Sequence, residues 1–262
     1  MTKKNISIKF IGLPMLFILV SQFACSVFEI QKMQTIGEVL EYINPLPTAD
    51  VVPEFINHPW PELSVDASVF KDAGCSGGWE LICSEDSPLS DFGCDRIILP
   101  FDAMGGLDPA YPIVKCNFYG SPGYGEYVYY SGGLYGEYTT FVIYKDGEFE
   151  MIKSLDEMQK TYAPIDSPTE ALSYVLTIEQ YSAKNNLEYD SDLRYLVNVV
   201  EDTYVEEVDA GYLVHVYYSR MFGCGPHPTT AYDVLITHQG NINVRDFEDV
   251  FEDPEYDGLC TD

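Results

Sequence analysis

Residues 167–183 read SPTEALSYVLTIEQYSA, and this stretch predicts the main helix of the fold. Ser167 and Glu170 have the spacing of a capping box, and Pro168 stands at the first helical position, where no N–H is needed. Helical spacing places five apolar side chains where they would face a sheet: Ala171, Leu172, Val175, Leu176 and Ile178. We therefore predict a sheet-packed helix over about 168–183.

Antiparallel strands are predicted on both sides of this helix. Before it, strands over 126–131, 137–144 and 148–152 are separated by Gly132-Gly133 and Asp146-Gly147, which supply the positive φ of hairpin turns. After it, a β-meander is expected over 204–208, 212–219, 230–237 and 242–247. The string VYYS occurs at 128–131 and again at 216–219, each time before a strand, a turn and a return strand. The pattern predicts an α+β fold of antiparallel β-meanders with one main packed helix.

The rest of the chain divides by composition into further segments. Residues 1–25 have the order of a signal peptide, and 26–62 are a Pro-rich tether. Residues 63–160 form a Cys/Gly-rich region that leads into the β-hairpins, so the N-terminal half is expected to be loop-rich and to contain disulfides. Residues 161–262 carry the helix, the meander and an acidic tail.

The N-terminal leader predicts export. Lys3, Lys4 and Lys9 precede an apolar run over 10–20 that is too short to span a bilayer. Cleavage before Cys25 would resemble lipoprotein processing and lipidate that cysteine, whereas cleavage after Ser26 would discard it. An uncleaved anchor is the third possibility. We expect a cell-envelope or extracellular protein that meets a membrane only through its leader or a lipid anchor.

Seven cysteines become six once Cys25 is lipidated or removed. An even set in an exported chain predicts a disulfide framework, with buried free thiols as the alternative. Six cysteines allow 15 connectivities. The simplest set joins Cys75 to Cys83 and Cys94 to Cys116, which leaves Cys224 for Cys260.

The strong negative charge excludes one class of partner. The chain has 14 basic and 42 acidic residues, a formal net charge of -28. Such a polyanion repels phosphate backbones, so we expect no nucleic-acid partner. Acidic residues between 246 and 257 lack the spacing of a calcium loop, and we interpret them as a solvated tail.

Element order gives a resemblance at the level of the fold. A helix followed by a meander over about 165–250 resembles PepSY-type or cystatin-like exported modules, which implies one helix laid across an antiparallel sheet. The strings IDSPTEAL at 165–172 and FGCGPHP at 222–228 are similar to segments of uncharacterised exported bacterial proteins. The resemblance implies no particular activity.

The string GCSGG at 74–78 fits the G-x-S-x-G pattern of hydrolases and resembles a segment near the cleft of papain-like proteases. A nucleophile elbow needs a hydrophobic strand before the serine and a helix after it, and neither is predicted here. The papain-type nucleophile motif is also missing from the sequence. A Gly-rich disulfide loop is the preferred interpretation.

Cys224 and His227, together with His215 and His238, form the alternative chemical site. Thiolate and imidazole are suitable zinc ligands, and a Cys/His pair could act as a nucleophile. This alternative describes a secreted hydrolase or metal-binding protein. Oxidising surroundings favour a disulfide at Cys224, and the spacing matches no standard zinc site, so no cofactor is predicted.

Tyrosines interleaved with glycine form the last candidate: Tyr119, Tyr124, Tyr127, Tyr129, Tyr130, Tyr135 and Tyr138. Tyrosine offers a large amphipathic contact area for a glycan or a protein. It is equally an ordinary strand residue. We hypothesise an exported non-enzymatic binding or modulatory protein, with the Tyr-rich hairpins as one contact surface.

Overall fold

The computed structural model describes residues 52–99, 104–120, 125–132, 136–219 and 223–261. The leader, Cys25 and the tether up to residue 51 lie outside the described residues. No helix in the described ranges is long and apolar enough to cross a membrane.

The first part of the described chain builds one antiparallel sheet. In chain order the elements are β1 (Glu54–Ile56), α1 (Ser68–Asp72), β2 (Cys75–Gly77), β3 (Glu80–Cys83), β4 (Arg96–Ile98), β5 (Ile113–Phe118), β6 (Tyr129–Tyr130), β7 (Tyr138–Lys145) and β8 (Glu148–Ile152). Sheet 1 has the order β2-β3-β4-β5-β7, and both β6 and β8 pair with β7. Asp146 and Gly147 both have positive φ, which confirms the predicted turn between β7 and β8.

The second part contains the two longer helices and another antiparallel sheet. Its elements are α2 (Leu155–Tyr162), α3 (Pro168–Ile178), β9 (Arg194–Tyr195), β10 (Val199–Glu201), β11 (Tyr204–Val208), β12 (Gly211–Ser219), β13 (Gly223–Cys224), β14 (Thr229–Thr237), β15 (Ile242–Glu252) and β16 (Cys260–Thr261). Sheet 2 has the order β11-β12-β14-β15-β9, which contains the predicted meander. The pair β13–β16 is antiparallel, whereas β1–β10 is parallel.

Helix α3 lies in one core with residues of both sheets. Every residue from Glu170 to Ile178 is buried, as expected of a helix covered on all sides. The same core contains Ile113 and Phe141 from sheet 1 and Val214 and Ile236 from sheet 2. Burying a large apolar side chain contributes about 1.5–3 kcal/mol, so this shared core accounts for much of the packing energy. The predicted α+β class is confirmed in this β-rich form.

Three details of the sequence prediction need correction. The loop-rich region 63–118 also carries four short strands that were not predicted, β2 to β5, and they belong to sheet 1. The tether is already docked at residues 54–56, which pair with β10. The acidic tail is in part a strand: Val250, Phe251 and Glu252 of β15 are buried, and Arg194 Nε donates to Glu252 Oε1 at 2.6 Å.

Helix α3 also ends at Ile178, five residues before the predicted end. Glu179 has φ -135° and ψ 170°, which is extended backbone. Beyond it, the backbone of Ser182 exchanges two hydrogen bonds with Tyr217 of β12, at 2.7 and 2.9 Å. Residues 179–183, which helical periodicity assigned to the end of the helix, are therefore extended and pair with sheet 2 instead.

Candidate functional site

Cys224 is bonded to Cys260, so it is neither a free thiol nor a thiolate ligand. The structure also joins Cys75 to Cys83 and Cys94 to Cys116, which is the expected pairing. Three disulfides are typical of a protein that folds in an oxidising environment. The Cys/His nucleophile alternative loses its nucleophile.

The three histidines of the alternative site have separate partners. His215 Nδ1 lies 2.7 Å from Asp233 Oδ1, His238 Nδ1 lies 2.8 Å from Ile165 O, and His227 Nε2 lies 3.3 Å from Leu259 O. His215 on β12 pairs with Asp233 on β14. His238 comes five residues after Asp233, which at 3.4 Å per residue places it about 17 Å from that pair. Within the described ranges, no three His, Cys, Asp or Glu side chains are grouped to hold a metal ion.

Ser76 of the G-x-S-x-G string lies within β2 and pairs with Ile82 of β3. A nucleophile elbow would place this serine at a strand-to-helix turn. Here the flanking Cys75 is instead cross-linked to Cys83 on the neighbouring strand. The string forms a disulfide-closed β-hairpin.

Tyr119 of the Tyr-rich stretch is exposed just after β5, and the other described tyrosines divide between two places. Tyr124 and Tyr135 lie outside the described residues. Tyr129 and Tyr130 are successive residues of β6, so they point to opposite faces of sheet 1. Tyr127 and Tyr130 pack on Tyr138, with ring centroids 4.9 and 4.6 Å apart, and both are 41% exposed. Tyr129 faces the shared core instead.

The strongest candidate site is a cavity of about 490 Å³ beyond the C-terminal end of α3. Its described walls come from sheet 1, from the last turn of α3 and the chain after it, and from the loop residues Trp60 and Met104. The lining residues are Trp60, Met104, Lys115, Tyr129, Leu176, Glu179, Gln180, Tyr181, Ser182 and Ala183. We call this space the inter-sheet cavity, because it lies between sheet 1 and the segment after α3 that pairs with β12 of sheet 2 at Ser182. Its size and mostly apolar lining are those of small-ligand sites.

Two charged side chains from different elements line the inter-sheet cavity. Lys115 comes from β5, and its Nζ lies 5.9 Å from the ring centroid of Tyr129. Glu179 comes from the end of α3, and burial raises the pKa of its carboxyl. The pKa of Tyr181 is raised to about 12, first by burial and then by the nearby Glu179. The cavity thus combines aromatic rings with one cationic and one acidic side chain in partly dehydrated surroundings.

A hydrogen-bonded network joins neighbouring strands of sheet 1 beside Lys115. Asn117 is two residues along β5 and therefore shares the face of Lys115. Its Nδ2 donates to Glu137 Oε2 at 2.5 Å, and Arg96 Nη1 donates to Glu137 Oε1 at 2.7 Å. Gln180 Nε2 donates to Tyr130 O at 2.9 Å, which ties the end of α3 to β6. The wall of the cavity is pre-organised by these bonds.

Aromatic side chains continue from the cavity along sheet 2. The ring of Tyr181 lies 5.2 Å from that of Tyr232, which lies 5.7 Å from that of Phe247. Phe247 is 66% exposed. An apolar surface therefore leads from the cavity wall to solvent.

Two other cavities are weaker candidates. A groove of about 680 Å³ between α1, the β7–β8 turn and residues 88–92 is more open to solvent. A cavity of about 290 Å³ lies where Pro168 and Leu172 of α3 approach Tyr204, with Trp60 at its edge. Among the lining residues that the structure describes, neither cavity combines enclosure with charged groups of both signs.

Sequence reasoning missed Trp60, Met104, Lys115 and Glu179. Trp60 stands between Pro59 and Pro61 in the predicted tether, and a large aromatic residue is out of place in a solvated linker. That was the one available signal. The other three are brought together only by the tertiary fold.

A second polar cluster lies on sheet 2. The rings of Tyr204 and His215 stack at 5.1 Å, and His58 Nε2 lies 3.1 Å from Glu201 Oε2. Burial raises the pKa of the Tyr204 phenol to about 12, with Asp233 and Glu201 adding to the effect. The Glu201 contact attaches the segment around His58 to β10, and a ring contact of His58 with Tyr204, at 4.5 Å between centroids, attaches it to β11.

Comparison with protein-family models, curated proteins and solved structures found no match for this chain.

Proposed function

We propose that this chain is an exported, non-enzymatic binding protein that takes a small amphipathic ligand in the inter-sheet cavity. The observation that carries the proposal is the enclosure of aromatic and aliphatic side chains together with Lys115 and Glu179. The leader and the disulfides support export. The helix followed by a meander supports a relationship to PepSY-type or cystatin-like exported modules, as part of the same proposal.

The cavity can be tested by filling it. Ala183 lines the inter-sheet cavity, and Ala183→Phe would occupy part of its volume. Ala73 lines the open groove near α1, so Ala73→Phe is the matched control. Ligand-observed NMR with a fragment library should show fragments that bind the wild type and Ala73→Phe but not Ala183→Phe.

Thermal unfolding of each variant would verify that the fold is retained. The proposal is wrong if no fragment binds, or if binding survives in Ala183→Phe and is lost in Ala73→Phe.

A further inference from the structure

The charges of the inter-sheet cavity define the ligand more closely. Lys115 extends from β5 of sheet 1, whereas Glu179 follows the last residue of α3. A lysine ammonium is a compact cation that attracts a carboxylate. A carboxyl group held in partly dehydrated surroundings is stabilised in its charged form by a ligand ammonium. The two charged groups of the site therefore suit opposite charges on one molecule.

Apolar groups line the same space as the two charges. Trp60, Met104 and Leu176 contribute an indole ring, a thioether and an isobutyl group. These surfaces fit a hydrocarbon or aromatic side chain. Methionine in particular adapts to side chains of different shapes.

The net charge of the whole chain also favours a ligand that carries both charges. At -28, the protein repels anions at long range, so a ligand with a carboxylate alone is disfavoured. A ligand with an ammonium alone would meet Lys115 inside the cavity. A zwitterion has no net charge and satisfies both side chains.

We infer that the inter-sheet cavity binds an amphipathic zwitterion with a free ammonium, a free carboxylate and an apolar side chain. Free apolar amino acids and short apolar peptides share this chemistry. The inference rests on the proposed function, because it names the ligand of the same cavity. Lys115 contacts the carboxylate, Glu179 contacts the ammonium, and the apolar side chain lies against Trp60 and Met104.

Isothermal titration calorimetry can separate the two charges on the ligand side. Leucine and leucyl-leucine represent the two sources, while N-acetyl-leucine lacks the ammonium and leucinamide lacks the carboxylate. Indole is a neutral probe of the cavity itself. We expect leucine or leucyl-leucine to bind the wild type at least tenfold more tightly than the two blocked forms, since each blocked form loses one charged hydrogen bond.

Variants then assign the charges to residues. Glu179→Gln should weaken binding of the zwitterion about tenfold but leave the affinity for N-acetyl-leucine unchanged. Lys115→Met should also weaken binding of the zwitterion about tenfold, and it should leave the affinity for leucinamide unchanged. Lys145→Met is the control, because Lys145 Nζ lies 5.8 Å from the ring of Tyr111 in a similar contact outside the cavity. If a variant fails to fold, the comparison of blocked and free ligands on the wild type still decides.

The outcomes distinguish the two proposals. Binding of indole without binding of either zwitterion, or zwitterion affinities that equal those of the blocked forms, overturns the inference and leaves the cavity as a binding site. If indole, the zwitterions and the fragment library all fail to bind, the proposed function falls with it.

Discussion

Cys224 and Cys260 lie directly opposite each other in the β13–β16 pair, and their disulfide joins positions separated by 36 residues. It fixes the C-terminal segment to the chain between β12 and β14. Arg194 holds the same segment through Asp257, with Nη2 2.8 and 2.9 Å from the two carboxylate oxygens. The end of the chain is thus attached covalently at one point and by an ion pair at another.

Replacing both cysteines, Cys224→Ala/Cys260→Ala, should lower the free energy of unfolding by roughly 3–4 kcal/mol, the chain-entropy value for a loop of this length. Asp257→Asn, which removes the exposed ion pair to the same segment, should lower it by less than about 1 kcal/mol. Urea unfolding of both variants measures the difference. Equal stability of the double variant and the wild type would show that the disulfide does not constrain the unfolded chain.

Gly106 is expected to tolerate no side chain. A Cβ there would lie 2.6 Å from Ser173 Oγ and 2.7 Å from Thr169 O, both on α3. Gly106→Ala should therefore lower the free energy of unfolding by about 1–3 kcal/mol, the usual effect of overpacking. Gly78→Ala is the control, since a Cβ there meets nothing within 4 Å. A thermal unfolding midpoint for Gly106→Ala that matches the control would contradict this packing.

The carboxyl group of Glu170 should make stability fall as pH rises. Glu170 is buried, and burial raises the pKa of its carboxyl above the ordinary value of 4.5. The negative charges of Asp108 and Asp166 raise the pKa further, whereas hydrogen bonds from the backbone lower it by a smaller amount. The folded state therefore holds this proton more tightly than the unfolded state, and stability is lost as pH rises from about 4.5 through the folded pKa.

Glu170→Gln removes this titration but keeps an acceptor for Asp166 N, which donates to Glu170 Oε2 at 2.9 Å. The stability of the variant relative to the wild type should increase over that pH range, as measured by urea unfolding at several pH values. Glu157→Gln, at the same position of the α2 cap, controls for loss of a capping carboxylate. A difference between Glu170→Gln and wild type that is independent of pH would refute the assignment.

Asp202 should anchor the segment that carries Trp60. Its buried carboxylate accepts hydrogen bonds from four groups: Asn57 Nδ2, His58 N, Asn186 N and Leu187 N. Burial opposes its ionisation, but these hydrogen bonds together outweigh burial and lower the pKa. Asp202 therefore contributes stability above its unfolded pKa, and this contribution is lost as pH falls through the lower folded pKa.

Asp202→Ala should lower the free energy of unfolding by about 3 kcal/mol, because several buried donors lose their acceptor. It should also speed proteolytic cleavage near residues 57–60. Asp192→Ala, at an exposed position, is the control for proteolysis. Identical cleavage rates for Asp202→Ala and the control would rule out the anchoring role.

Local signals predicted much of the fold. Ser167 accepts a hydrogen bond from Glu170 N at 3.1 Å, which confirms the predicted N-cap of α3, and Ser154 caps α2 in the same way at 3.3 Å. The Asp146-Gly147 turn and the strands of the meander are local as well, since turn chemistry and period-2 patterning depend on near neighbours.

The candidate site depends on long-range packing and could not be predicted in this way. The apolar residues Tyr181 and Ala183 continue the helical pattern, so the predicted helix covered the place where the cavity lies. Pairing of Ser182 with Tyr217 ends the helix, and no local pattern indicates this contact. The short strands β2 to β4 were missed because three or four residues carry little periodicity.

The burial of α3 among residues of both sheets has a consequence for biosynthesis. When synthesis reaches residue 153, every strand of sheet 1 has been made, but α3 and sheet 2, which complete the core around Ile113, Phe141 and Ile143, have not. Chains grow at about 5–20 residues per second, so this apolar face stays uncovered for several seconds while α3 and sheet 2 are made. The nascent chain is therefore a substrate for holdase chaperones until its second half has emerged.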